Sequence, residues 1–421
     1  MIDLRRDGLL VAIFIGAIGG IAAGAFVGEP MTRIGWLATL FLNALKMTIV
    51  PLVFAAIVSS ICALGDVRRL GVLGLTTIVY YTATTAIAVA IGLVAVNLVQ
   101  PGVGAALPTD ASVSELPEAT TLADVVLNLV PENVVRAAAD LSLIQIIFFA
   151  LVFGAALTTV GERGGPLAAF FDGLNLTMMR IVEWVMVFAP IGIFALIADR
   201  IGQAGGGRAV LDELAAVGSY VLTVLGALFV HGLVLFAILR LAGGRGLGYL
   251  RSMLRAVVTA FGTASSAATL PLTIECAIEA GVRRRSVQFV APLGATVNMD
   301  GTALYEAVAV LFIAQVYGIE LTAMQQVVVF VTATLAAVGA AGIPQAGLVT
   351  MLIVLSAVGL PAEGIGLLLA VDWLLDRFRT AVNVWGDSVG CAVIDRLVDT
   401  HAGASESHAP STVVRGGPGR S

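Results

Sequence analysis

Apolar residues run through this chain in long blocks, near residues 9–29, 36–64, 71–99, 141–160, 176–199, 213–241, 286–316 and 363–395. A helix needs about 20 apolar residues to cross the hydrocarbon core of a bilayer, and each block meets that length. No block alternates with the period of two that a barrel strand requires. The pattern predicts eight membrane-spanning α-helices. Two further apolar blocks, near 250–280 and 326–358, are of a different kind. The first contains Gly262-Thr263-Ala264-Ser265-Ser266-Ala267-Ala268-Thr269-Leu270-Pro271, small and hydroxyl-rich, and closed by proline. The second centres on Gly339-Ala340-Ala341-Gly342-Ile343-Pro344-Gln345-Ala346-Gly347. Each reads as a half-helix, a broken tip and a second half-helix. Irregular backbone at membrane depth persists only where protein or a water-filled cavity satisfies its amides. A matched pair of interrupted segments in a transport core points to a binding site. The competing reading is two kinked spans whose small residues allow close packing.

Arginine placement orients these elements. Arg5 and Arg6, Arg68 and Arg69, Arg163, Arg240 with Arg245, Arg251 and Arg255, and Arg283 to Arg285 fall in one alternate set of loops. The 100–140 connection instead carries Asp110, Glu115, Glu118, Asp124 and Glu132 against Arg136. The positive-inside rule then predicts a cytoplasmic N-terminus and an external acidic loop. This holds only if the 250–280 block enters and leaves on the cytoplasmic side, as a re-entrant hairpin.

Composition agrees. The chain is 59% hydrophobic and 12% charged, with mean hydropathy +1.00, whereas soluble domains carry about 25% charge. The net charge of −5 sets no orientation. The apolar run after Arg5 and Arg6 reads as a first span rather than a cleaved signal. Cys62, Cys276 and Cys391 stand singly in apolar segments and read as packing residues. His231, His401 and His408 have no metal-ligand spacing, and nothing points to nucleic acid. Residues 398–421 read as a disordered cytoplasmic tail.

The last apolar block holds an anomaly. At ~100° per residue, Asp372, Asp376, Arg379, Thr380, Asn383 and Asp387 share one helical face, and Arg377 points to the side. Each charge at mid-membrane costs roughly 2.5–3.5 kcal/mol, so such a stripe must face a polar path. A second anomaly is Thr296-Val297-Asn298-Met299-Asp300-Gly301-Thr302-Ala303-Leu304-Tyr305-Glu306. Asn, Asp and Gly break a helix there and free carbonyl oxygens, which suit a hard monovalent cation. Tyr80-Tyr81-Thr82-Ala83-Thr84-Thr85 adds hydroxyls in the third block, a weak signal alone.

Asn298-Met-Asp-Gly-Thr, the tip ending Ala-Thr-Leu-Pro, the Gly-Ile-Pro-Gln-Ala-Gly tip and Asp376-Arg-x-Arg-Thr-x-x-Asn-x-x-Gly-Asp387, in that order, resemble the dicarboxylate/amino acid:cation symporter family. Lys46-Met-Thr-Ile-Val-Pro-Leu-Val-Phe54 extends the likeness over roughly 8–397. The resemblance implies an all-α polytopic membrane protein. It would have eight spans plus two re-entrant hairpins, with inverted repeats, an elevator mechanism and a homotrimer in the cell membrane. Residues 1–249 would be mainly scaffold, with span 3 lending cation ligands, and 250–397 the transport core. It implies import of L-aspartate or L-glutamate with sodium.

For the substrate, the resemblance implies Arg379 on the side-chain carboxylate and Asp376 on the amino group. Asn383 and the backbone around Ser265 and Ser266 would take the α-carboxylate, with Thr302 and Thr380 as flanking hydroxyls. Gly342, Ile343 and Gly347 would belong to the closing gate. It implies three sodium sites: Asp387 with Gly294, Asn298 and Asn383; Ala337, Val338 and Ala340 with Thr296; and Asp300 and Asn298 with Tyr81, Thr84 and Thr85. Arg377, with Ala264 opposite on the hairpin, follows the animal excitatory amino acid transporters and reads as an electrostatic neighbour of the site. Glu306, where sodium-only archaeal members carry glutamine, implies a co-transported proton; potassium counter-transport is left open. No cofactor is implied.

Rival readings are weaker. An intramembrane aspartyl protease needs Gly-x-Gly-Asp and Tyr-Asp, and here Asp387 follows Val-Trp-Gly and Asp300 follows Asn-Met. A channel has no need of Arg379. A neutral amino acid exchanger of the family should lack it, and a C4-dicarboxylate carrier need not keep Asp376.

Overall fold

The computed structural model describes residues 4–63, 71–104, 127, 129–203, 209–339 and 346–406, and all regular secondary structure among them is helical. The first helices are α1 (Leu4–Val27), α2 (Gly35–Ala63), α3 (Gly71–Val99), a short α4 (Val134–Ala139) and α5 (Leu143–Thr159). Then come α6 (Gly165–Val187), α7 (Ala189–Gln203) and α8 (Ala209–Leu241). The C-terminal half holds α9 (Leu247–Thr263), α10 (Ser266–Glu279), α11 (Arg284–Val297), α12 (Asp300–Val316), α13 (Ala323–Gly339), α14 (Ala346–Ala357) and α15 (Ile365–Glu406).

Each apolar block of the sequence falls on helix. By length and composition, four helical stretches can cross a membrane: Glu29–Ala63, Leu73–Val99, Ala215–Leu241 and Arg284–Val316. The α6–α7 pair makes a fifth if read as one bent span. The 176–199 block is thus not one straight helix. It begins earlier, at Gly165, and bends by 58° at Phe188. Pro190, at the start of α7, has no N–H to continue the α6 ladder, and its ring crowds the preceding turn. The last block fails the same test because its stripe carries too much charge, although α15 is continuous over 42 residues. It runs past residue 397, where the transport core was expected to end; residues 407–421 lie outside the described part.

Helices α1, α2, α5, α6 and α7 pack on one another, while α3 and α8 pack against α12 and α15. Gly16, Gly20 and Gly24 let α1 lie directly on α7, since a Cβ at Gly20 would fall 2.7 Å from the Phe194 carbonyl oxygen and one at Gly24 2.6 Å from Ile201 Cβ. On α3, Gly92 does the same against α12, where a Cβ would lie 2.9 Å from the Leu304 carbonyl oxygen. That approach carries the α3 hydroxyls to the start of α12. Helix α3 exposes Leu75, Val79 and Leu98 on its other side, an apolar face suited to lipid.

The 250–280 block is a helical hairpin. Helix α9 ends in Ala264, whose φ of 48° and ψ of 37° are left-handed, and Ser265 caps α10 by accepting the Ala268 N–H at 3.2 Å. Arg255 pairs with Glu275 and Glu279, both at 3.1 Å, so the two arms run antiparallel. Helices α13 and α14 also pack together; their tip, 340–345, lies outside the described residues. The 286–316 block breaks where its composition predicts, at Asn298 and Met299, between α11 and α12.

Candidate functional site

The stripe on α15 faces inward. Asp372, Asp376, Arg379, Thr380, Asn383 and Asp387 are all buried, and Arg379 is 0% exposed. Its Nη2 donates to Asp376 Oδ1 at 2.9 Å and lies 3.0 Å from Asp372 Oδ1. The guanidinium sits over the Tyr305 ring, 3.9 Å from the centroid. Nε and Nη1 have no hydrogen-bond partner among the described residues. A buried charged donor left unmade is costly, so this edge of the fork is set for an acceptor from outside the chain. Gly347 on α14 closes the same space, since a Cβ there would stand 2.7 Å from Nη1. The second hairpin therefore reaches Arg379 itself. Gly342 and Ile343 lie outside the described residues.

Asn383 fastens the α12 start to α15. Its Oδ1 accepts the Gly301 N–H at 2.7 Å, and its Nδ2 donates to Thr302 Oγ1 at 3.3 Å. A Cβ at Gly301 would lie 2.7 Å from the Arg379 carbonyl oxygen, so the helices touch through backbone. Thr380 Oγ1 donates to the Asp376 carbonyl at 2.8 Å. Ser265 and Ser266 are buried at the first hairpin tip. Arg377 does more than lend charge, because its Nη1 donates to the Gly262 carbonyl at 2.8 Å and the Phe261 carbonyl at 3.2 Å. With Phe261 against Phe378, ring centroids 5.0 Å apart, it ties this tip to α15.

One turn further along α15 is a buried oxygen cluster. Asp300 Oδ1 accepts from Thr85 Oγ1 at 2.7 Å and Thr84 Oγ1 at 3.4 Å. Asn298 joins the two acidic residues: its Oδ1 accepts from Thr84 at 3.4 Å and its Nδ2 donates to Asp387 Oδ1 at 3.0 Å. The Tyr81 carbonyl accepts from Thr84 at 3.2 Å, while its hydroxyl donates to the Val290 carbonyl at 2.9 Å. Gly294 has no room for a side chain, with the Asp387 carboxylate and the Tyr81 hydroxyl against it. Two carboxylates among hydroxyl and carbonyl oxygens can take small hard cations. The second expected cation set lies only partly within the described residues. Ala337 is buried at the end of α13, Val338 is half-buried, and Thr296 is exposed and bonds back to the Leu293 carbonyl at 3.0 Å. Ala340 lies outside the described residues.

Four partners were not singled out for these roles from sequence. Asp372 was on the stripe without a task, and here it faces Arg379. Tyr305 supplies the ring beneath the guanidinium. His231 reaches Asp300. Gly386 leaves space that a Cβ would fill 2.8 Å from Asn298 Nδ2. For Asp372 the signal was its place on the charged face. For His231 it was only a polar residue in an apolar run.

The sodium:dicarboxylate symporter family model matches residues 9–397, nearly the whole chain. The chain belongs to the sodium:dicarboxylate symporter family. It is 38% identical to mouse excitatory amino acid transporter 3, over 89% of this chain and 79% of that protein. It is 34% identical to excitatory amino acid transporter 1 of the salamander Ambystoma tigrinum, over 94% of this chain and 84% of that protein. The family is one of membrane transporters, and the apolar helices fit a multi-pass membrane protein of that family.

Proposed function

We propose that this symporter imports L-aspartate or L-glutamate with sodium by alternating access, as a homotrimer in the cell membrane with both termini cytoplasmic. The observation that carries the reading is the half-used guanidinium of Arg379. Its Nη2 is taken by two aspartates, and its other edge has no partner among the described residues. A planar fork of this kind takes a carboxylate bidentately. Asp376 beside it suits an ammonium group as a charge-assisted acceptor. That pairing favours an amino acid over a plain C4-dicarboxylate. The relatives named excitatory amino acid transporters support the same substrate class.

Coupling follows from charge. Asp300, Asp372, Asp376 and Asp387 are buried against one Arg379. An acidic amino acid adds further negative charge, so cations must load with it. The Asp300 and Asp387 clusters are the two cation sites we assign, and the second hairpin with Ala337, Val338 and Ala340 completes the third. We read eight spans and two re-entrant hairpins. The hairpins, the broken α11–α12 pair and α15 form the moving core, within 250–397, and α3 contributes Tyr81, Thr84 and Thr85. The rest of 1–249 is mainly scaffold. Titrating purified protein with L-aspartate at several sodium concentrations tests this. The dissociation constant should fall steeply as sodium rises; binding that ignores sodium overturns the reading.

Proton coupling is assigned to Glu306. It is fully buried beside Thr350, and no Lys or Arg forms an ion pair with it among the described residues. A buried carboxylate without a paired cation is costly, and a proton carried with the substrate removes that charge. Wild-type uptake should rise under an inward proton gradient, and Glu306→Gln should abolish that response while keeping sodium dependence. An unchanged response in the variant removes the proton from the mechanism.

A further inference from the structure

His231 is the one buried histidine in the described structure, at 0% exposure on α8, and the transport reading leaves it without a task. Its Nε2 lies 3.1 Å from Asp300 Oδ2. The other oxygen, Oδ1, faces Thr85 and Thr84. A carboxylate only accepts, so Nε2 carries the hydrogen and donates it. Nδ1 has no hydrogen-bond partner among the described residues. Among the described residues the imidazole therefore makes one polar contact, and that contact is to the acidic residue at the centre of the oxygen cluster. The neighbouring turn of α8 is itself fixed, because Trp385 on α15 donates its indole N–H to the Gly232 carbonyl at 3.3 Å.

We propose that His231 is a positioning residue for the sodium site on Asp300; this rests on the sodium reading above. A carboxylate can rotate about its Cβ–Cγ bond and offer either oxygen to either side. The hydrogen bond from Nε2 holds Oδ2 toward α8 and keeps Oδ1 among Thr84, Thr85 and Asn298. A cation entering there meets a ligand set already oriented, with less ordering to pay for at binding. Gly386 supports the same geometry from the far side, since a Cβ there would stand 3.2 Å from Asp300 Oδ2.

Side-chain length gives the test. Glutamine can bring its amide N–H to about the position of Nε2, whereas asparagine is shorter and cannot reach Oδ2. L-Aspartate uptake into proteoliposomes is measured against external sodium for both variants. His231→Asn should raise half-saturating sodium about tenfold or more, the loss expected for a hydrogen bond to a buried charge. His231→Gln should stay within about threefold of wild type, and KM for aspartate at high sodium should move by less than about threefold in both. Unchanged half-saturation in His231→Asn overturns the proposal, as does a fall in maximal rate alone. So does a His231→Gln protein as impaired as His231→Asn. Should His231→Asn fail to assemble, His231→Gln decides by itself: wild-type half-saturation supports the role and a tenfold rise overturns it. If unaltered protein takes up aspartate without sodium, the sodium reading itself fails and His231 has no sodium site to position, an outcome distinct from normal sodium dependence in His231→Asn.

Discussion

Arg379→Cys should abolish uptake of acidic amino acids. The substitution removes Nε and Nη1, the two donors of the fork without a partner among the described residues, together with the Nη2 contacts to Asp372 and Asp376. Each hydrogen bond between charged groups contributes about 1.5–3 kcal/mol, so losing a bidentate pair predicts a fall in affinity of at least about 100-fold. Arg379→Lys should not restore it, because an ammonium is a point charge without the fork. The two aspartates would then lose their counter-charge in a buried place, a destabilising change. Asp372→Asn added to Arg379→Cys relieves part of that strain, and it should recover thermal stability without recovering aspartate transport. The check is radiolabelled L-aspartate uptake beside a melting curve. Retained aspartate transport in Arg379→Cys removes Arg379 from the role assigned here.

Asp300→Asn should separate stability from function in the opposite way. The buried carboxylate accepts from Thr85, Thr84 and His231, and no Lys or Arg pairs with it among the described residues. Removing a buried charge costs the apo protein little and can stabilise it. A sodium ion bound there would lose its anionic ligand, and with it at least the roughly 10- to 100-fold in affinity that even an outer partner of a metal ligand is worth. The protein should therefore melt no lower than wild type while its half-saturating sodium rises far out of range. Wild-type sodium dependence in Asp300→Asn would show that no transported cation uses this carboxylate.

Much of this arrangement was legible in the chain because membrane burial makes polarity expensive. The α15 stripe could be read from helical periodicity, and the α11–α12 break from Asn298, Asp300 and Gly301. The hairpin tip at Ala264 and Ser265 was announced by small hydroxyl-bearing residues. What periodicity could not give was partnership across helices. His231 lies 69 residues from Asp300 in the chain, and only the packing of α8 beside α12 brings them together. Asp372 and Asp376 share one face, yet which of them meets Arg379 depends on side-chain reach; both do. Arg377 projects off the stripe, and its contact is to hairpin backbone, which no side-chain pattern announces. The bend at Phe188 was hidden for a different reason. Pro190 can start a helix as readily as interrupt one, so its position within an apolar run was ambiguous.

The central claim is that inward movement of an acidic amino acid is driven by sodium bound at buried carboxylates. Proteoliposomes with equal L-aspartate on both sides and the voltage clamped to zero allow the most direct measurement. An inward sodium gradient alone, with no proton or potassium gradient, should drive net accumulation of radiolabelled aspartate against its own concentration. Equal exchange with no net accumulation, or uptake indifferent to sodium, would contradict the account.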